Sequence, residues 1–375
     1  MQTLHAALSR FHLIANTNTA KMEFVPTECK AYNFEEMGGE LKLQMRQVPQ
    51  LKDHEVLIKV SACAMNSTDE IARYDLLDMK RFAITPGCNV AGTIVKLGKN
   101  VSSMSHKLKE GQHVVAFPMY GGMSEYCVAD AMYCCPMSDK LGMTESCLAA
   151  YNCGRIMASM MQWQKKMDMM TKEEKMACDT ACMEMGFKGE GVLCVFGCGG
   201  QAKVACDAIK AMQAHMPHMS MVKNCRLVLI TPNDRWSPSD YGMRKDDVLV
   251  WGQCNVREEL MKMGGVWCTR MPETKAMCME MMCGMRMNSC MMLMNPGGDA
   301  MMQLPMGPML VKSISVCGAP MPTSTEMLNC LDMCEKAKIH VDVDCVDFMD
   351  ESRVREMWRC MEKGESFEAP MVMME

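Results

Sequence analysis

Several features that mark common protein classes are missing from this sequence of 375 residues. It has no long basic run and a formal net charge of −5, which argues against a nucleic acid or an anionic membrane surface as its main partner. No stretch approaches the roughly 20 consecutive apolar residues that a membrane-spanning helix requires. The sequence therefore predicts a soluble protein with no membrane span, whose partners are small molecules.

Aromatic residues are scarce, at 6% of the chain, whereas methionine is abundant, with 51 residues. Because methionine is unbranched and fits irregular gaps, we expect it to fill core positions that leucine would otherwise take. The 24 cysteines lack the two-residue spacing of a zinc knuckle in their close pairs, Cys178/Cys182, Cys278/Cys283 and Cys330/Cys334. We therefore expect most of them to be buried and reduced, as they are inside a cell.

The amino-terminal segment, residues 1–22, contains Arg10 and Lys21 but no acidic residue, and its apolar residues follow an approximate helical stripe. This composition is typical of an organelle transit peptide. A frayed terminus ahead of the first strand explains it equally well. Two locations therefore stay open, the cytoplasm and, if residues 1–22 are a transit peptide, the mitochondrion.

The chain is longer than one compact core usually grows, so we expect two domains. Residues 29–58 and 89–117 read as short alternating strands punctuated by glycine and proline, which predicts a partly open β-barrel. After Tyr151 the spacing becomes helical, and 191–196 is a continuous apolar run typical of a buried parallel strand. Further strands are predicted at 226–230 and 248–251, separated by helix-like or loop segments as in an α/β domain. The segment 271–294 looks too short to hold a further strand of that domain. The segment 215–245 looks like an insertion in the domain.

The segment after residue 325 predicts helices at 326–336 and 351–363 and strands at 340–345 and 369–373. These elements follow the α/β region in the chain. The sequence shows neither an internal repeat nor a low-complexity linker.

The most informative motif runs from the apolar strand into Gly197-Cys198-Gly199-Gly200-Gln201-Ala202 and then into a helical pattern. Gly197 permits a tight turn, Gly199 lets the backbone approach a diphosphate, and Ala202 lets the helix pack closely on the strand. The diphosphate would then meet backbone N–H groups at the positive end of the helix. The motif predicts dinucleotide contacts, although any tight strand-to-helix turn can look similar; the predicted contact residues are Gly197, Gly199, Gly200, Gln201 and Ala202.

Residues 85–101, from Thr85-Pro86-Gly87 to Val101, resemble the "PGxExAGxVxxVGxxV" signature of medium-chain dehydrogenases and reductases. The segments 111–115, 121–126, 293–298, 312–318 and 363–365 resemble further blocks of this family, in the family's order. The resemblance implies a GroES-like barrel built from both chain ends around a central Rossmann domain, with substrate in the cleft between them. We therefore expect a tail at 1–24, the barrel at 25–155 plus 322–375, and the Rossmann domain at 156–321.

Zinc-dependent members of the family hold a catalytic zinc with Cys, His and a further Cys or Asp. Here the corresponding positions carry Asn66, Cys88 and Cys153, and Asn89 replaces the acid beside the histidine. This set is a poor zinc site because an amide is a weak neutral ligand, so we expect no metal, although Cys63 or Asp69 would substitute if the loop shifted. Asn66-Ser67-Thr68-Asp69 instead resembles the "NxxD" motif of zinc-free quinone and enone reductases.

Without a metal, hydrogen-bond donors must polarise the substrate carbonyl or stabilise an enolate. Asn66 and Thr68 are the candidates, with Tyr74 as a weaker candidate proton source. The alternative for Asn66 and Thr68 is capping of the helix that begins near Asp69. The alternative for Tyr74 is that its side chain only packs against its neighbours and supplies no proton.

Rossmann domains that bind NADP lack an acidic residue at the tip of the second strand and have a basic residue there. The second strand is either 226–230, followed by Arg235, or 248–251, followed by Asn255 and Arg257. Neither strand ends in an acid and both precede an arginine, so NADP(H) is favoured over NAD(H), with Arg257 ahead of Arg235. Each arginine has a plain alternative as a solvated surface charge.

The leading interpretation is a zinc-independent NADP(H) reductase of quinones, enones or related double bonds and carbonyls. A zinc or altered-metal alcohol/aldehyde dehydrogenase is the second, and an inactive binding or scaffold protein of this fold is the third. The resemblance also suggests a homodimer formed through the Rossmann sheet edge.

Overall fold

A computed structural model describes residues 25–74, 82–101, 108–270, 274–293, 304–363, 365 and 368–374. The predicted tail at 1–24 lies outside these residues. No helix in these ranges is long and apolar enough to cross a membrane.

The first domain is a barrel built from both ends of the chain, in which the strands pair antiparallel except for the parallel pair β14–β15. A hairpin of β1 (Glu28–Phe34) and β2 (Leu41–Gln47) lies beside a seven-stranded sheet. That sheet has the order β14-β15-β3-β4-β5-β7, with β6 paired to β3. Its strands are β3 (Glu55–Ala64), β4 (Val90–Leu97), β5 (His113–Ala116), β6 (Tyr126–Asp130), β7 (Cys134–Pro136), β14 (Val343–Asp347) and β15 (Ala369–Met373). The strand β15 pairs with β3, so the carboxyl-terminal segment closes onto the amino-terminal part.

Two short helices belong to this barrel. Helix α1 (Glu70–Arg73) follows a 3-10 turn at Ser67–Asp69, and α11 (Glu351–Glu362) connects β14 to β15. Gly92 on β4 explains the close contact with β3, because a Cβ there would lie 2.1 Å from the Lys59 carbonyl oxygen. The barrel predicted from the sequence is confirmed.

The second domain contains a six-stranded parallel sheet in the order β10-β9-β8-β11-β12-β13. The strands are β8 (Val192–Phe196), β9 (Arg226–Thr231), β10 (Val248–Val250), β11 (Val266–Arg270), β12 (Met285–Leu293) and β13 (Ser315–Gly318). This is the Rossmann order, in which the chain direction across the sheet reverses between β8 and β11. Its helices are α5 (Gly199–His215), α6 (Ser220–Asn224), α7 (Val256–Lys262), α8 (Lys275–Gly284) and α9 (Met306–Lys312). The predicted Rossmann domain is confirmed.

A third group of helices lies at the junction of the two domains. These are α2 (Met143–Leu148), α3 (Gly154–Asp168), α4 (Lys172–Glu184) and α10 (Ser324–Ala337), with a π-helical turn at Ala149–Cys153 between α2 and α3. A single apolar core joins barrel residues such as Val115 to Trp163 of α3 and Ile209 of α5. The junction is therefore a packed interior, which fixes side chains from both domains relative to one another.

One expectation about the parallel sheet was wrong. Residues 271–294 hold β12, which begins directly after α8 with no intervening loop. Methionine and cysteine fill this stretch, and methionine fits a helix and a buried strand alike, so the pattern did not separate the two elements. The region 215–245 holds α6 and β9; β9 was predicted at 226–230, and it is the strand next to β8.

Candidate functional site

The glycine-rich turn lies where β8 passes into α5. The Gly197 N–H donates to the Ile230 carbonyl oxygen at 3.0 Å, so the turn starts as an extension of the β8–β9 pairing. Gly197 has a φ of 152° and Gly199 a φ of 65°, and a side chain would strain either position. Helix α5 begins at Gly199, so its first-turn N–H groups lie at the turn, as a diphosphate site requires.

One of these N–H groups already has a partner. Gly199 N–H donates to the Tyr241 hydroxyl oxygen at 3.2 Å, and Tyr241 is fully buried. Burial raises the pKa of Tyr241 to about 12, so the phenol stays neutral. Tyr241 comes from the connection between β9 and β10, and no pattern in the sequence predicted this contact.

A small cavity opens beside the first turn of α5. It lies between the two domains, because His340 and Asp342 precede β14 and Ala369 begins β15; the lining residues are Asn152, Gly200, Gln201, Lys203, Val204, His340, Val341, Asp342 and Ala369. Ala202 is fully buried and packs α5 against the sheet.

The sheet order assigns the second strand, which the sequence left open. β9 pairs directly with β8 and β10 lies beyond it, so the tip of the second strand is Thr231 and Arg235 follows it. Arg235 therefore follows the second strand, whereas Arg257 follows the outer strand and is exposed on α7. Which arginine meets a 2′-phosphate stays a prediction. Asn255, a predicted cofactor contact, caps α7 by accepting the Glu258 N–H at 3.2 Å.

Arg235 is exposed, and its guanidinium lies 5.5 Å from the centre of the Trp236 ring. The nearest acid in the chain, Asp234, accepts a hydrogen bond from Gln253 at 2.9 Å. Thr231 itself is buried, and its hydroxyl has no hydrogen-bond partner within the described part of the chain. The tip of β9 therefore presents a hydroxyl followed by an arginine, without an acid at the last strand position.

The loop after β3 carries two of the predicted donors. Asn66 is buried and its side-chain amide donates to the Ala64 carbonyl oxygen at 3.3 Å. The carboxylate of Asp69 accepts the backbone N–H of Asn66, Gly87 and Cys88 at 2.9–3.0 Å. Burial raises the pKa of the Asp69 carboxyl to about 6, even though these N–H groups favour its ionised form. Asp69 thus holds the loop against the Gly87-Cys88 segment of the barrel.

Thr68 takes part in a polar network that sequence reasoning missed. Its hydroxyl oxygen accepts from the Tyr151 hydroxyl at 3.0 Å and lies 3.5 Å from Arg155 Nη1. Arg155 Nη1 also donates to the Tyr151 oxygen at 3.1 Å, and the Cys88 thiol lies 3.5 Å from it. We call Thr68, Cys88, Tyr151 and Arg155 the junction cluster.

Tyr151 and Arg155 are close in the chain to Cys153, a position that the family resemblance had already singled out. The π-helical turn at Ala149–Cys153 was a further signal, since such turns are frequent at functional sites, but it is visible only in the structure. Burial raises the pKa of Tyr151 above its usual range, so its hydroxyl remains a donor at neutral pH. Tyr74, in contrast, is 42% exposed at the end of α1, with the Arg73 guanidinium 5.3 Å from its ring centre.

The three positions that hold zinc in metal-dependent relatives do not fit a metal. Asn66 turns its amide to Ala64, Cys88 lies against Tyr151, and Cys153 is buried beside Cys330 and Cys334. Burial and the Asp69 carboxylate raise the pKa of the Cys88 thiol well above its usual range. In the described ranges, no group of three or more His, Cys, Asp or Glu side chains is arranged to hold a metal ion.

Comparison with known families matches residues 52–167 to the alcohol dehydrogenase GroES-like domain. The human quinone oxidoreductase is 38% identical over 99 residues, which cover 25% of this chain and 29% of the relative. A chloroplastic NADPH-dependent alkenal/one oxidoreductase from Arabidopsis thaliana is 35% identical over 107 residues, 27% of each chain. The chain thus spans less than a third of the length of these curated relatives.

Solved structures are similar over much more of the chain. A quinone oxidoreductase from Pseudomonas syringae pv. Tomato DC3000 covers 92% of this chain and 100% of its own, with a TM-score of 0.69 and 14% identity. A mycobacterial protein complexed with NADPH covers 92% of this chain and 100% of its own, with a TM-score of 0.66 and 16% identity. At these identities the similarity establishes the fold, including the arrangement of the two domains.

Proposed function

We propose that this chain, a member of the medium-chain dehydrogenase/reductase superfamily, is an NADP(H)-dependent and zinc-independent oxidoreductase that reduces a quinone, an enone or a similar activated double bond or carbonyl. The observation that carries the proposal is the polar network at Thr68, in the loop that resembles the NxxD motif of zinc-free reductases. Tyr151 donates to the Thr68 hydroxyl oxygen at 3.0 Å, and we propose that this pair of hydroxyls lies at the substrate oxygen.

The glycine-rich turn supports the cofactor part of the proposal. Gly200 and Gln201 line the cavity beside α5, and Lys203 and His340 add basic side chains to it. We propose that this cavity takes the diphosphate, and that Arg235 after β9 takes the 2′-phosphate of NADP(H). When bound, the nicotinamide would supply the hydride, while the protein residues bind and orient both molecules.

The junction cluster supports the substrate part. Thr68 would polarise the carbonyl by a hydrogen bond, and Tyr151 would hold the Thr68 hydroxyl in place from the buried side. Asn66 would position the loop, because its amide is engaged with Ala64, and Tyr74 remains a weaker candidate at the exposed end of α1. A small-molecule partner and a homodimer remain part of the proposal.

Titration with NADPH and with NADH, followed by nicotinamide fluorescence, tests the cofactor part; we expect NADPH to bind more tightly. Turnover with a quinone and with an enone, before and after treatment with a chelator, tests the rest, and we expect activity that the chelator leaves unchanged. If neither dinucleotide binds, the proposal is contradicted and a scaffold protein is favoured. Activity lost with the chelator and restored by zinc would favour the metal-dependent dehydrogenase instead.

The role of Thr68 is tested by Thr68→Val, which keeps the shape and removes the hydroxyl. We expect kcat to fall about 10²-fold, the size of effect that loss of one such donor has in other enzymes. Thr68→Ser is the matched control, because it keeps the hydroxyl and should retain most of the activity. Equal activity of the Val and Ser variants would show that the hydroxyl is not used.

A further inference from the structure

Two cysteine side chains of the parallel sheet are in contact toward the carboxyl ends of neighbouring strands. The Sγ atom of Cys290 on β12 lies 3.1 Å from the Sγ atom of Cys317 on β13. A disulfide places its two sulfurs about 2.05 Å apart, so an approach of about 1 Å would join these two thiols. For comparison, the sulfurs of Cys330 and Cys334, on successive turns of α10, are 3.9 Å apart.

The two thiols of the sheet differ in their access to solvent. Cys317 is half-buried, whereas Cys290 is only 5% exposed. A small oxidant would therefore reach Cys317 first, and Cys290 lies beside it as the second thiol of a bond. Cys330 and Cys334 are both buried, so neither of them offers a comparable entry to an oxidant.

The strand register indicates that a bond between these residues would be strained. Cys290 lies opposite Ser315 in the parallel pair β12–β13, so Cys317 is two residues further along its strand. This offset separates the two Cα atoms more than direct opposition does, and bond formation must therefore bend the strand ends. Because β13 is the edge strand and pairs with β12 alone, it can shift without disturbing another strand. Strained disulfides are reduced more readily than structural ones, so we expect the bond to be reversible.

The groups around the pair keep both sulfurs protonated at rest. Contact with the Cys268 thiol, together with burial, raises the pKa of Cys290 to about 12. Contact with Cys290 and burial raise the pKa of Cys317 above its usual range. The Lys166 ammonium, which donates to the Ser315 hydroxyl oxygen at 2.8 Å, opposes both shifts. Because only the thiolate is a nucleophile, oxidation should be slow at neutral pH and faster in alkaline solution.

We propose that Cys290 and Cys317 form a modification site, at which hydrogen peroxide joins the two thiols in a reversible disulfide. The Cys317 thiolate attacks one peroxide oxygen, the O–O bond breaks, and the departing hydroxide takes up the proton that Cys317 released. Cys317 is then a sulfenic acid. Cys290 loses its proton and attacks the Cys317 sulfur, the S–O bond breaks, and the departing hydroxide takes up the Cys290 proton. The two thiols are oxidised, the peroxide is reduced to two water molecules, and the inference is independent of the function proposed above.

Peptide mapping of the full-length wild type tests the proposal directly. The folded protein is treated with hydrogen peroxide, its remaining thiols are blocked with N-ethylmaleimide in denaturant, and the digest is analysed by mass spectrometry without reduction. We expect two peptides joined through Cys290 and Cys317, formed about tenfold faster at pH 9 than at pH 8. Cys330 and Cys334 should carry the maleimide. Reduced glutathione, added to the oxidised protein, should return Cys290 and Cys317 to thiols.

The variant Cys317→Ala should form no cross-link, and Cys268→Ala is the matched control, because it removes the neighbouring third thiol and should keep the cross-link. The mapping of the wild type needs no variant, so it decides the matter even if a variant fails to fold. Recovery of Cys317 as a free thiol or a sulfinic acid, without a cross-linked peptide, would overturn the inference. A cross-link from Cys317 to Cys268 would overturn the assigned pair. A cross-link that reduced glutathione leaves intact would overturn its reversibility.

Discussion

The glycine-rich turn after β8 and the junction cluster satisfy their buried polar groups in different ways. At the turn, the Gly199 N–H already has the Tyr241 hydroxyl as a neutral partner. In the junction cluster, the Arg155 guanidinium has neutral partners only, and the neighbouring loop adds a second buried charged group, Asp69. The turn therefore has a neutral partner for one of its N–H groups, whereas the junction and its neighbouring loop bury charged groups with neutral partners.

This difference predicts which changes matter most. Changes at the junction should alter stability strongly, because charged groups are buried there. Changes at the turn should alter stability weakly and cofactor binding specifically.

The largest effect is expected from the titration of Asp69. Its folded pKa of about 6 lies above the ordinary value of 3.8, because burial disfavours the ionised form. The protonated carboxyl thus stabilises the fold below pH 3.8, and this contribution is lost as the pH rises through about 6. At about 1.36 kcal/mol per pKa unit, the loss is roughly 3 kcal/mol.

Urea unfolding of the wild type and of Asp69→Asn between pH 4 and pH 8 measures this contribution. The wild type should lose stability relative to the variant as the pH rises, and the exposed change Asp332→Asn should leave the pH dependence as it is in the wild type. If the difference in the free energy of unfolding between the wild type and Asp69→Asn stays constant over this pH range, the assignment is contradicted.

The next effect concerns Tyr151→Phe. It removes the hydroxyl that accepts from Arg155 Nη1, so a buried cation loses one of its neutral partners. Hydrogen bonds to charged groups contribute about 1.5–3 kcal/mol, and we expect the free energy of unfolding to fall by about 2 kcal/mol. Tyr133→Phe, on a half-buried tyrosine between β6 and β7, is the control and should cost less than half as much. Equal costs for the two tyrosines would remove the distinction drawn here for the junction.

The sequence was informative where the chain itself brings the residues together. The glycine-rich turn, its preceding strand and its following helix are contiguous, so their order and spacing predicted the turn. The barrel strands were predicted from local alternation in the same way. The domain limits at 155/156 and 321/322 remain predictions.

The junction cluster could not be predicted in this way. Thr68, Cys88 and Tyr151 are separated by tens of residues and meet only because β3, β4 and the π-helical turn pack at one place. The single pattern that pointed there was the resemblance at Asn66, Cys88 and Cys153. The partner of Gly199 was hidden for the same reason, since Tyr241 is 42 residues away in the chain.

A smaller effect is expected at the tip of the second strand. Because β9 lies next to β8, Arg235→Ala should weaken NADPH binding about tenfold, or roughly 1.4 kcal/mol, and leave NADH binding unchanged. Arg257→Ala is the matched control, because that exposed arginine follows the outer strand and should leave both affinities as they are. Calorimetric titration measures both constants. Loss of NADPH preference in the Arg257 variant alone would reverse the assignment and restore the order expected from the sequence.

The smallest effect is expected at the turn itself. Tyr241→Phe leaves the Gly199 N–H without its hydroxyl partner, and for a single long hydrogen bond of 3.2 Å we expect a loss of about 1 kcal/mol of stability. If a diphosphate bound at the turn takes over this N–H group, saturating NADPH should raise the unfolding midpoint of the variant more than that of the wild type. Equal increases of the unfolding midpoint in the variant and the wild type would mean that the hydrogen bond from the Gly199 N–H to Tyr241 persists when the cofactor is bound. The glycine-rich turn would then hold the diphosphate through Gly200 and Gln201 alone, and Tyr241 would be a fixed part of the fold.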